Sequence, residues 1–310
     1  MTKAGFAAVI GAPNAGKSTL VNRLVGSKVT IVTQKAQTTR FPVRGVAIEG
    51  ESQVVLVDTP GIFRPRRRLD RAMVRAAWAG AEDADAVVHL VDAEAELAAA
   101  GAKPKAADKL AAEDVRTVIE GLTRSERRAV LALNKVDRVR REELLGLASR
   151  LFETGAYTEV FMISALDGSG VDDLKRRLGE LMPEGPWLYP EDQAADLPVR
   201  LLAAEITREK IYLRVHEELP YSASVETTAF EERKDGSARI EQSIYVEREG
   251  QRAILIGKGG RTLKWIGEAS RTELAEILGR KVHLFLTVKV KQNWADERAT
   301  YADLGLDYDA

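Results

Sequence analysis

The sequence predicts an α/β protein in two parts, a doubly wound parallel-sheet domain followed by a smaller α+β domain. Its 310 residues exceed what one ordinary hydrophobic core organises. In the first half, short apolar runs alternate with helical patterns, which is typical of a parallel sheet covered by helices on both faces. Four prolines then fall close together between residues 183 and 198 and indicate a linker.

Composition excludes several classes of protein. Lys and Arg number 46 against 47 Asp and Glu, so the chain of net charge −1 is no polycation, and a nucleic acid would need a local basic patch. The absence of cysteine excludes disulfides and thiolate metal sites, and it suits a reducing cytosol. No apolar stretch approaches the ~20 residues of a membrane span, and the first strand begins too early for a signal peptide. We expect a soluble, intracellular chain.

The elements of the first half follow from its apolar runs. These predict strands at residues 5–11, 43–49, 54–58, 86–92, 129–133 and 160–163. The spacing of Val171, Leu174, Leu178 and Leu181 predicts a helix with one apolar face. The alanine-rich stretch 93–114 is interpreted as an exposed loop plus a helix, with no function assigned.

The second half predicts a helix over 201–215, strands over 224–232 and 239–248, and two helices that flank a glycine loop at 257–260. Residues 282–290 alternate apolar and polar side chains, as a half-buried strand does. Antiparallel strands with segregated helices predict an α+β domain. The predicted boundaries are 1–182 for the first domain, 183–198 for the linker, 199–292 for the second domain and 293–310 for a tail. The four tryptophans are interpreted as packing anchors.

The motif G-x-x-x-x-G-K-[ST] follows the first strand and precedes a helix. It comprises Gly11, Ala12, Pro13, Asn14, Ala15, Gly16, Lys17 and Ser18, with Thr19 next in the helix. Its backbone N–H groups can surround a β-phosphate, Lys17 can reach β- and γ-phosphate oxygens, and the Ser18 hydroxyl can ligate Mg²⁺. The alternative is an ordinary glycine-containing turn, which this strand-to-helix context disfavours.

A second motif, Asp58-Thr59-Pro60-Gly61, follows the strand at 54–58. Asp58 would hold Mg²⁺ through water, and the Gly61 N–H would contact the γ-phosphate. By itself the tetrapeptide would be a plain turn. The next residue is Ile62, where Ras-like enzymes place a glutamine that orients water. Either water is positioned otherwise or turnover is slow.

Two further segments specify the base. In Asn134-Lys135-Val136-Asp137 the Asp137 carboxylate, interpreted as buried, can accept two hydrogen bonds from guanine, and adenine offers no such pair of donors. Asn134 would bond N7 and brace the phosphate loop, and the Lys135 stem would cover the base. In Ser164-Ala165-Leu166 the Ala165 N–H would donate to O6. The expected nucleotide is therefore GTP or GDP rather than an adenine nucleotide.

These residues resemble the translation-factor-like GTPases. Gln37-Thr38-Thr39-Arg40 further resembles the switch I element of the Era family of bacterial ribosome-assembly GTPases. That resemblance implies a slow GTPase in which Thr39 closes on Mg²⁺ and acts with Lys17, Gly61 and Asn14. Similar GTPases can use an asparagine at the position of Asn14 to hold K⁺ beside the phosphates; the alternative is that Asn14 only caps its own loop.

The second domain resembles a type II KH domain, whose G-x-x-G loop binds single-stranded nucleotides. The candidate RNA-binding residues are Ile256, Gly257, Lys258, Gly259, Gly260, Arg261 and Lys264. Glycine pairs are frequent in loops, but residues 251–291 carry nine basic side chains against three acidic ones, which favours an RNA-binding face. Gly259 stands where the family has a side chain, which predicts a more flexible loop with Lys258 as the main phosphate contact.

The resemblance to the Era family extends from residue 5 to about 306. It implies a monomer that binds small-subunit ribosomal RNA near its 3′ end, assists 30S assembly and contacts the inner membrane peripherally from the cytoplasm. The alternative is a GTP-dependent adaptor whose second domain binds a protein and whose hydrolysis is incidental. RNA binding would weaken steeply with salt, and protein binding would not.

Overall fold

The computed structural model describes residues 1–33, 35, 37–216 and 219–310. The chain divides into two units. The first comprises Met1–Thr30, Thr39–Asp196 and Leu304–Ala310, and the second comprises Ile31–Thr38 and Leu197–Asp303. Each unit therefore includes residues that are distant in sequence from its main part.

The first unit is built on a sheet whose strands are, over the described residues, β1 (Lys3–Ile10), β2 (Val43–Glu49), β3 (Ser52–Asp58), β4 (Ala86–Asp92), β5 (Ala129–Asn134), β6 (Tyr157–Met162) and β7 (Ala195–Asp196). Their order is β6-β5-β4-β1-β3-β2-β7. All pairs from β6 to β3 are parallel, and β2 is antiparallel to both of its neighbours. The carboxyl ends of β1, β3, β4, β5 and β6 therefore meet at one edge, where a doubly wound sheet binds its ligand.

Helices cover both faces of this sheet. They are α1 (Lys17–Val25), α2 (Arg68–Glu82), α3 (Ala93–Ala100), α4 (Ala106–Arg124), α5 (Arg141–Phe152) and α6 (Val171–Leu181). Alternate residues of β1 enter different cores, because successive side chains of a strand point to opposite faces. Ala7 and Val9 pack with apolar residues of α1 and α6, whereas Ala8 and Ile10 pack with those of α2, α4 and α5.

The predicted strands and the helix at 171–181 are confirmed, but two expectations were wrong. β2 does not join the parallel set: it forms a hairpin with β3 across Gly50, and a parallel partner would need a long crossover. The stretch 93–114 is not one loop plus one helix: α3 and the first half of α4 flank a short, mostly exposed connection at residues 101–105. The Asp92 carboxylate starts α3, since its Oδ1 accepts the Ala95 N–H at 3.1 Å.

The proline-rich segment predicted as a linker is fixed to the first unit as far as Asp196. Residues 195 and 196 form β7 against β2. The buried Gln53 side chain accepts the N–H groups of Leu188 at 2.8 Å and Tyr189 at 3.0 Å, and it donates to the Tyr189 carbonyl at 2.8 Å. These bonds satisfy backbone groups that the prolines leave without a regular partner.

The last residues, Leu304–Ala310, belong to the first unit and lie on the amino-terminal part of α2. The Arg68 guanidinium stands 4.4 Å from the centre of the Tyr308 ring, and Arg75 pairs with Asp307 at 3.2 Å. Leu306 is buried there. The segment expected as a tail thus contributes to the first unit's packing.

The second unit contains α7 (Val199–Arg214), β8 (Ser224–Glu232), β9 (Ala238–Val246), α8 (Glu249–Ile256), α9 (Arg261–Leu278), β10 (Val282–Val290) and α10 (Arg298–Asp303). Its sheet has the order β10-β9-β8. The expectation of purely antiparallel strands was wrong, because β10 runs parallel to β9. The two-helix crossover through α8 and α9 returns the chain in the same direction, as a parallel pair requires.

The tryptophans Trp265 and Trp294 of this unit differ in burial. Trp294 is buried and its indole N–H donates to the Ser222 carbonyl at 2.9 Å, so it is a packing anchor as expected. Trp265 is 37% exposed, and the Arg214 guanidinium lies 5.4 Å from its ring centre. The expectation of a buried anchor was wrong for Trp265. Among the residues described in both units, no helix has the length and apolar character that a membrane crossing demands.

Candidate functional sites

The loop between β1 and α1 has the backbone that a phosphate site needs. Gly11, Asn14 and Gly16 all have positive φ, at 151°, 63° and 101°. A Cβ on Gly11 would lie 2.3 Å from the Leu90 carbonyl oxygen, so only glycine fits there. Asparagine tolerates the left-handed conformation, and the exposed Asn14 adopts it. The loop ends at the amino terminus of α1, which is a favourable position for an anion.

Lys17 is buried at this loop. Its Nζ donates to the carbonyl oxygens of Gly11 at 3.1 Å and Ala12 at 2.9 Å. Burial lowers the pKa of Lys17 to about 8, although the carboxylates of Asp58 and Asp114 oppose that shift. In the described part of the chain the hydrogen bonds of this buried cation go to neutral carbonyls, and phosphate oxygens would add negative charge beside it.

Three oxygen-bearing side chains predicted to hold Mg²⁺ lie together. Ser18 Oγ donates to Asp58 Oδ2 at 2.8 Å, and Thr39 Oγ1 donates to the same oxygen at 3.1 Å. Burial raises the pKa of Asp58, while the hydroxyls and Lys17 act against the increase. Its other oxygen, Oδ1, is buried without a hydrogen-bond partner in the described part of the chain. An all-oxygen donor set with an unsatisfied carboxylate oxygen suits Mg²⁺, so the residues fit this ion.

A third hydroxyl, which the sequence reasoning missed, completes this cluster. Thr30 Oγ1 donates to Asp58 Oδ2 at 2.9 Å. The Asn22 side chain of α1 holds this residue, because its Oδ1 accepts the N–H groups of Val29 and Thr30, and its Nδ2 donates to the Thr30 carbonyl. Neither residue belongs to a recognisable motif, so no sequence signal indicated them.

The Asp58-Thr59-Pro60-Gly61 segment lies against the phosphate loop. The buried Thr59 hydroxyl donates to the Val9 carbonyl at 2.8 Å, and the Ile62 N–H donates to the Gly11 carbonyl at 3.0 Å. A Cβ on Gly61 would come within 2.9–3.1 Å of Pro13, so the close approach requires glycine. Ile62 is fully buried, and its aliphatic side chain offers no hydrogen bond to a water molecule.

Asn134 joins the phosphate loop to the Ser164-Ala165-Leu166 segment. Its Nδ2 donates to the Ala15 carbonyl at 2.7 Å, which agrees with the predicted brace. Its Oδ1 accepts the Ala165 N–H at 2.9 Å, so that N–H, which we expected to contact guanine O6, is bonded within the protein. Arg23 of α1, another residue without a sequence signal, donates to the carbonyls of Ala165 and Leu166.

Asp137 is exposed in the structure, and the expected burial of its carboxylate against a bound guanine stays a prediction. It lies in a 3₁₀ turn beyond the end of β5, where only the Arg138 guanidinium approaches it, at 3.8 Å, among the described ion pairs. Its neighbour Lys135 has a positive φ of 66° and pairs with Asp92 at the end of β4. A carboxylate accessible to solvent can receive the edge of a base, and the base itself would then cover it.

Asp114 of α4 is a buried acid that the sequence did not single out. Burial raises its pKa to about 6, the nearby Glu113 adds to the increase, and a hydrogen bond from the Arg64 backbone opposes it. Because Arg64 lies just beyond Gly61, this bond connects α4 to the loop that precedes α2. The residue pattern of α4 gave no indication of this role, since an acid on an amphipathic helix is normally exposed.

The glycine loop of the second unit is shaped by three left-handed glycines. Gly257, Gly259 and Gly260 have φ values of 73°, 62° and 76°. A Cβ on Gly257 would lie 2.3 Å from Thr262 Oγ1, whereas Gly259 and Gly260 face open space. The loop ends at the amino terminus of α9, and Lys258, like Arg261 and Lys264 of that helix, is exposed. The exposed backbone of the glycine loop and the basic side chains thus lie next to one another.

A groove of about 440 Å³ lies beside this loop. It is lined by Arg214, Val215, His216, Leu219, Gln251, Ile254 and Thr262. Ile254 is 59% exposed, and the exposed Trp265 lies under Arg214. Apolar and aromatic surface next to basic side chains is typical of single-strand binding sites, where bases stack.

The predicted switch element is divided between the units. Thr39 and Arg40 belong to the first unit, whereas Gln37 and Thr38 belong to the second. The Thr38 hydroxyl bonds the Thr33 hydroxyl at 2.7 Å and the Lys35 carbonyl at 2.8 Å. Of the two adjacent threonines, only Thr39 joins the oxygen cluster around Asp58.

Comparisons with known proteins find a matching family model in each half of the chain. The chain matches the family model of a 50S ribosome-binding GTPase over residues 6–135 and that of a KH domain over residues 218–295. It is 71% identical over 308 residues to GTPase Era of Caulobacter vibrioides, with 99% of this chain and 98% of that protein covered. It is 61% identical to GTPase Era of Maricaulis maris over 307 residues, with 99% and 98% covered.

Solved structures give the same result. A variant of Aquifex aeolicus Era bound to GDP·AlF₄⁻ matches with a TM-score of 0.88 and 37% identity, covering 98% of this chain and 99% of that one. A structure of Era in complex with MgGDPNP and nucleotides 1506–1542 of 16S ribosomal RNA matches with a TM-score of 0.87 and 36% identity, at the same coverage.

Proposed function

Because the chain belongs to the Era family of GTP-hydrolysing enzymes, we propose that it is a GTP-dependent switch that binds small-subunit ribosomal RNA through its KH domain and assists 30S assembly. The observation that carries the proposal is the cluster of Ser18, Thr39 and Asp58 oxygens beside the buried Lys17 amine. This cluster has the composition of a site for a metal-bound triphosphate.

We assign the nucleotide to four segments of the first unit. They are Gly11–Thr19 at the phosphates, Asp58–Ile62 at the γ-phosphate, Asn134–Asp137 at the base, and Ser164–Leu166 beside the base. The Asp137 carboxylate selects guanine by accepting hydrogen bonds from two donor groups of the base. Asn134 bonds both the phosphate loop and the segment beside the base and so holds the two together. The Ala165 N–H, which donates to Asn134 Oδ1, can donate to guanine O6 when it gives up that bond or shares its hydrogen between the two oxygens.

The magnesium site is assigned to Ser18, Thr39 and Asp58. Bound Mg²⁺ would neutralise charge on the β- and γ-phosphate oxygens. Lys17 exchanges its two loop carbonyls for phosphate oxygens, and the Gly61 N–H donates to the γ-phosphate. Ile62 contributes no water-orienting group, so hydrolysis is slow unless an ion or a partner supplies charge. Asn14 is the proposed position for K⁺, because its exposed amide stands at the outer turn of the loop.

The RNA site is assigned to Ile256–Arg261 and Lys264. The left-handed glycines let phosphates approach the backbone, and the amino terminus of α9 adds a partial positive charge. Lys258 is the proposed main phosphate contact. The neighbouring groove and Trp265 provide a surface on which bases can stack. The relative solved with 16S nucleotides 1506–1542 supports a target near the 3′ end of that RNA.

We further infer a monomer that acts in the cytoplasm, where ribosomal subunits assemble, with peripheral contact with the inner membrane. Family resemblance supports these three statements. Sedimentation of the purified protein tests the monomer, and co-sedimentation with lipid vesicles tests the membrane contact.

One experiment tests both halves of the function. Calorimetric titration of GTP with Mg²⁺ into the protein should release heat, and ATP should not. The protein should then bind a single-stranded oligonucleotide of the 16S 3′ end more tightly than the same composition in scrambled order. Absence of guanine nucleotide binding would contradict the enzyme assignment, and equal affinity for the scrambled RNA would contradict the assigned target.

A further inference from the structure

Arg23 is an exposed residue in the last turn of α1, the helix that begins at the phosphate loop. Its Nε donates to the Ala165 carbonyl at 3.4 Å, and its Nη2 donates to the Leu166 carbonyl. The guanidinium also lies beside Gly168, because a Cβ on that glycine would stand 3.7 Å from Nη1. Two donors of one rigid, planar group therefore hold two successive carbonyls of the segment that we assign to the base.

Other backbone groups of this loop are bonded within the loop itself. The Ser164 carbonyl accepts the Gly168 N–H at 2.8 Å, and the Ser164 N–H donates to the Ser169 carbonyl at 2.9 Å. Ser164 Oγ accepts the Asp167 N–H at 3.3 Å. Among the hydrogen bonds of the described residues, the carbonyls of the two residues after Ser164 are bonded by Arg23 alone. The arginine thus satisfies two carbonyls that the loop itself leaves open.

The N–H group of Ala165 is held by Asn134, at the end of β5. Asn134 Oδ1 accepts this N–H at 2.9 Å, and its Nδ2 donates to the Ala15 carbonyl of the phosphate loop at 2.7 Å. Both Asn134 and Ala165 are buried. The two bonded groups of Ala165 therefore lead back to the phosphate loop and to the helix that follows it.

A guanine base would affect the two bonds of Ala165 differently. In the proposed function the Ala165 N–H donates to guanine O6, and it then gives up or shares its bond to Asn134. The bond from Arg23 involves the carbonyl and does not compete with the base. Leu166 is 67% exposed, so burial of its side chain does little to hold the segment. With the base bound, the arginine therefore remains as an anchor of this backbone.

We propose that Arg23 is a positioning residue for the guanine base: it holds the Ala165 and Leu166 carbonyls so that the Ala165 N–H points at O6 of the bound nucleotide. This inference rests on the proposed function, in which a guanine nucleotide lies beside residues 164–166. It assigns the O6 edge to a residue of α1, whereas Asp137 is assigned to the two donors of the base. A nucleotide without a good acceptor in place of O6 should therefore gain little from Arg23.

The experiment compares Arg23→Met and Arg23→Lys with the wild type. Methionine keeps an aliphatic stem without donors, and lysine keeps the charge but loses the planar group that spans two carbonyls. Arg124→Met is the matched control, because Arg124 is also exposed and lies in the last turn of α4. The substituted side chains are exposed, so the variants should fold, and thermal melts verify this.

Calorimetric titration in Mg²⁺ measures the affinity for three nucleotides, with GDP as the reference. 6-Thioguanosine diphosphate replaces O6 by sulfur, a weak acceptor, and keeps both donors for Asp137. Inosine diphosphate keeps O6 but lacks the 2-amino donor. The preference for GDP over the thio nucleotide thus reports the O6 contact, and the preference for GDP over inosine diphosphate reports the contact with Asp137.

We expect Arg23→Met to lose about fivefold of its affinity for GDP and less than about twofold for the thio nucleotide, which is the range of one hydrogen bond. The preference for GDP over the thio nucleotide should therefore fall toward one. The preference for GDP over inosine diphosphate should not change, because both nucleotides carry O6. Arg23→Lys should lie between methionine and the wild type, and Arg124→Met should match the wild type.

The outcomes separate the inference from the function on which it rests. If folded Arg23→Met keeps the wild-type affinities, or loses all three by the same factor, the positioning role is wrong while the nucleotide site stands. A wild type that does not distinguish GDP from the thio nucleotide would overturn the inference in the same way. A wild type that binds neither GDP nor GTP would contradict the proposed function and the inference together.

Discussion

Ser18 Oγ and Thr39 Oγ1 lie 3.0 Å apart, and both donate to Asp58 Oδ2, although 21 residues separate the two side chains in sequence. One carboxylate therefore gathers two hydroxyls from different loops. Asp58 is buried there, and desolvation raises the pKa of its carboxyl group. The arrangement costs folding stability and gains a preorganised set of oxygens.

Asp58→Asn should separate these two effects. We expect higher thermal stability without ligand, by on the order of 2 °C or more, because a desolvated charge is removed while the amide oxygen can take the place of Oδ2 as acceptor of the hydroxyl bonds. The Mg²⁺-dependent part of GTP affinity should fall at least about tenfold, since a carboxylate is a far better Mg²⁺ ligand than an amide. Thermal melts and titrations with Mg²⁺ or chelator measure both. Unchanged Mg²⁺ dependence would remove Asp58 from the metal site.

Asp137→Asn should change base preference. An amide donates where the carboxylate accepts, so guanosine triphosphate should lose affinity by on the order of 100-fold and xanthosine triphosphate should gain it. Competition between the two nucleotides measures the change. Asp172→Asn, on the exposed first turn of α6, is the control. A variant that still prefers guanosine would show that another group reads the base.

Asp114→Asn should alter the pH dependence of stability. In the folded protein burial raises the pKa of Asp114 to about 6 from 3.8. Between these values the folded state keeps a proton that the unfolded chain has lost, so the free energy of unfolding falls as the pH rises, and the full cost is present above pH 6.

The asparagine variant should therefore melt above the wild type at pH 7.5, by about 2–4 °C, with a smaller difference at pH 5. Its Oδ1 can still accept the Arg64 N–H. Glu120→Gln, exposed on the same helix, should show no such trend. A constant difference at both pH values would mean that Asp114 does not titrate in this range.

Lys258→Glu with Arg261→Glu should weaken RNA binding and flatten its salt dependence. Each lost phosphate contact should reduce the slope of log K against log salt by about 0.7. Arg233→Glu with Lys234→Glu, in the exposed turn between β8 and β9, serves as a control of equal charge change. Filter binding at several salt concentrations gives the slopes. Binding that is insensitive to salt in the wild type would favour a protein partner for this domain.

GTP turnover should depend on the monovalent cation. If Asn14 holds K⁺ beside the phosphates, hydrolysis should be at least several-fold faster in KCl than in NaCl, and Asn14→Ala should remove the difference. Phosphate release measures both rates. Equal rates in the two salts would leave Asn14 as a loop residue whose left-handed backbone is its contribution.

Sequence reasoning singled out the proposed nucleotide segments because each is a short motif at the end of a strand, and parallel strands bring those ends together. Sequence reasoning could not predict strand direction, because the hydrophobic pattern of a strand is the same for a parallel and an antiparallel neighbour. The antiparallel pairing of β2 with β3 and the parallel pairing of β10 with β9 were therefore missed. Thr30 and Asn22 act through single bonds and leave no pattern. The burial of Asp137 was inferred for a complex in which guanine covers the carboxylate, whereas Asp137 is exposed in the structure.

The contact of Tyr308 with Arg68 has a consequence for biosynthesis. The strands of the first unit end at Asp196, but the residues that cover the start of α2 begin only at Leu304. At about 5–20 residues per second, synthesis from Asp196 to Leu304 takes roughly ten seconds. During translation the nascent first unit therefore exposes a cationic helix end until the segment from Leu304 onward has been synthesised.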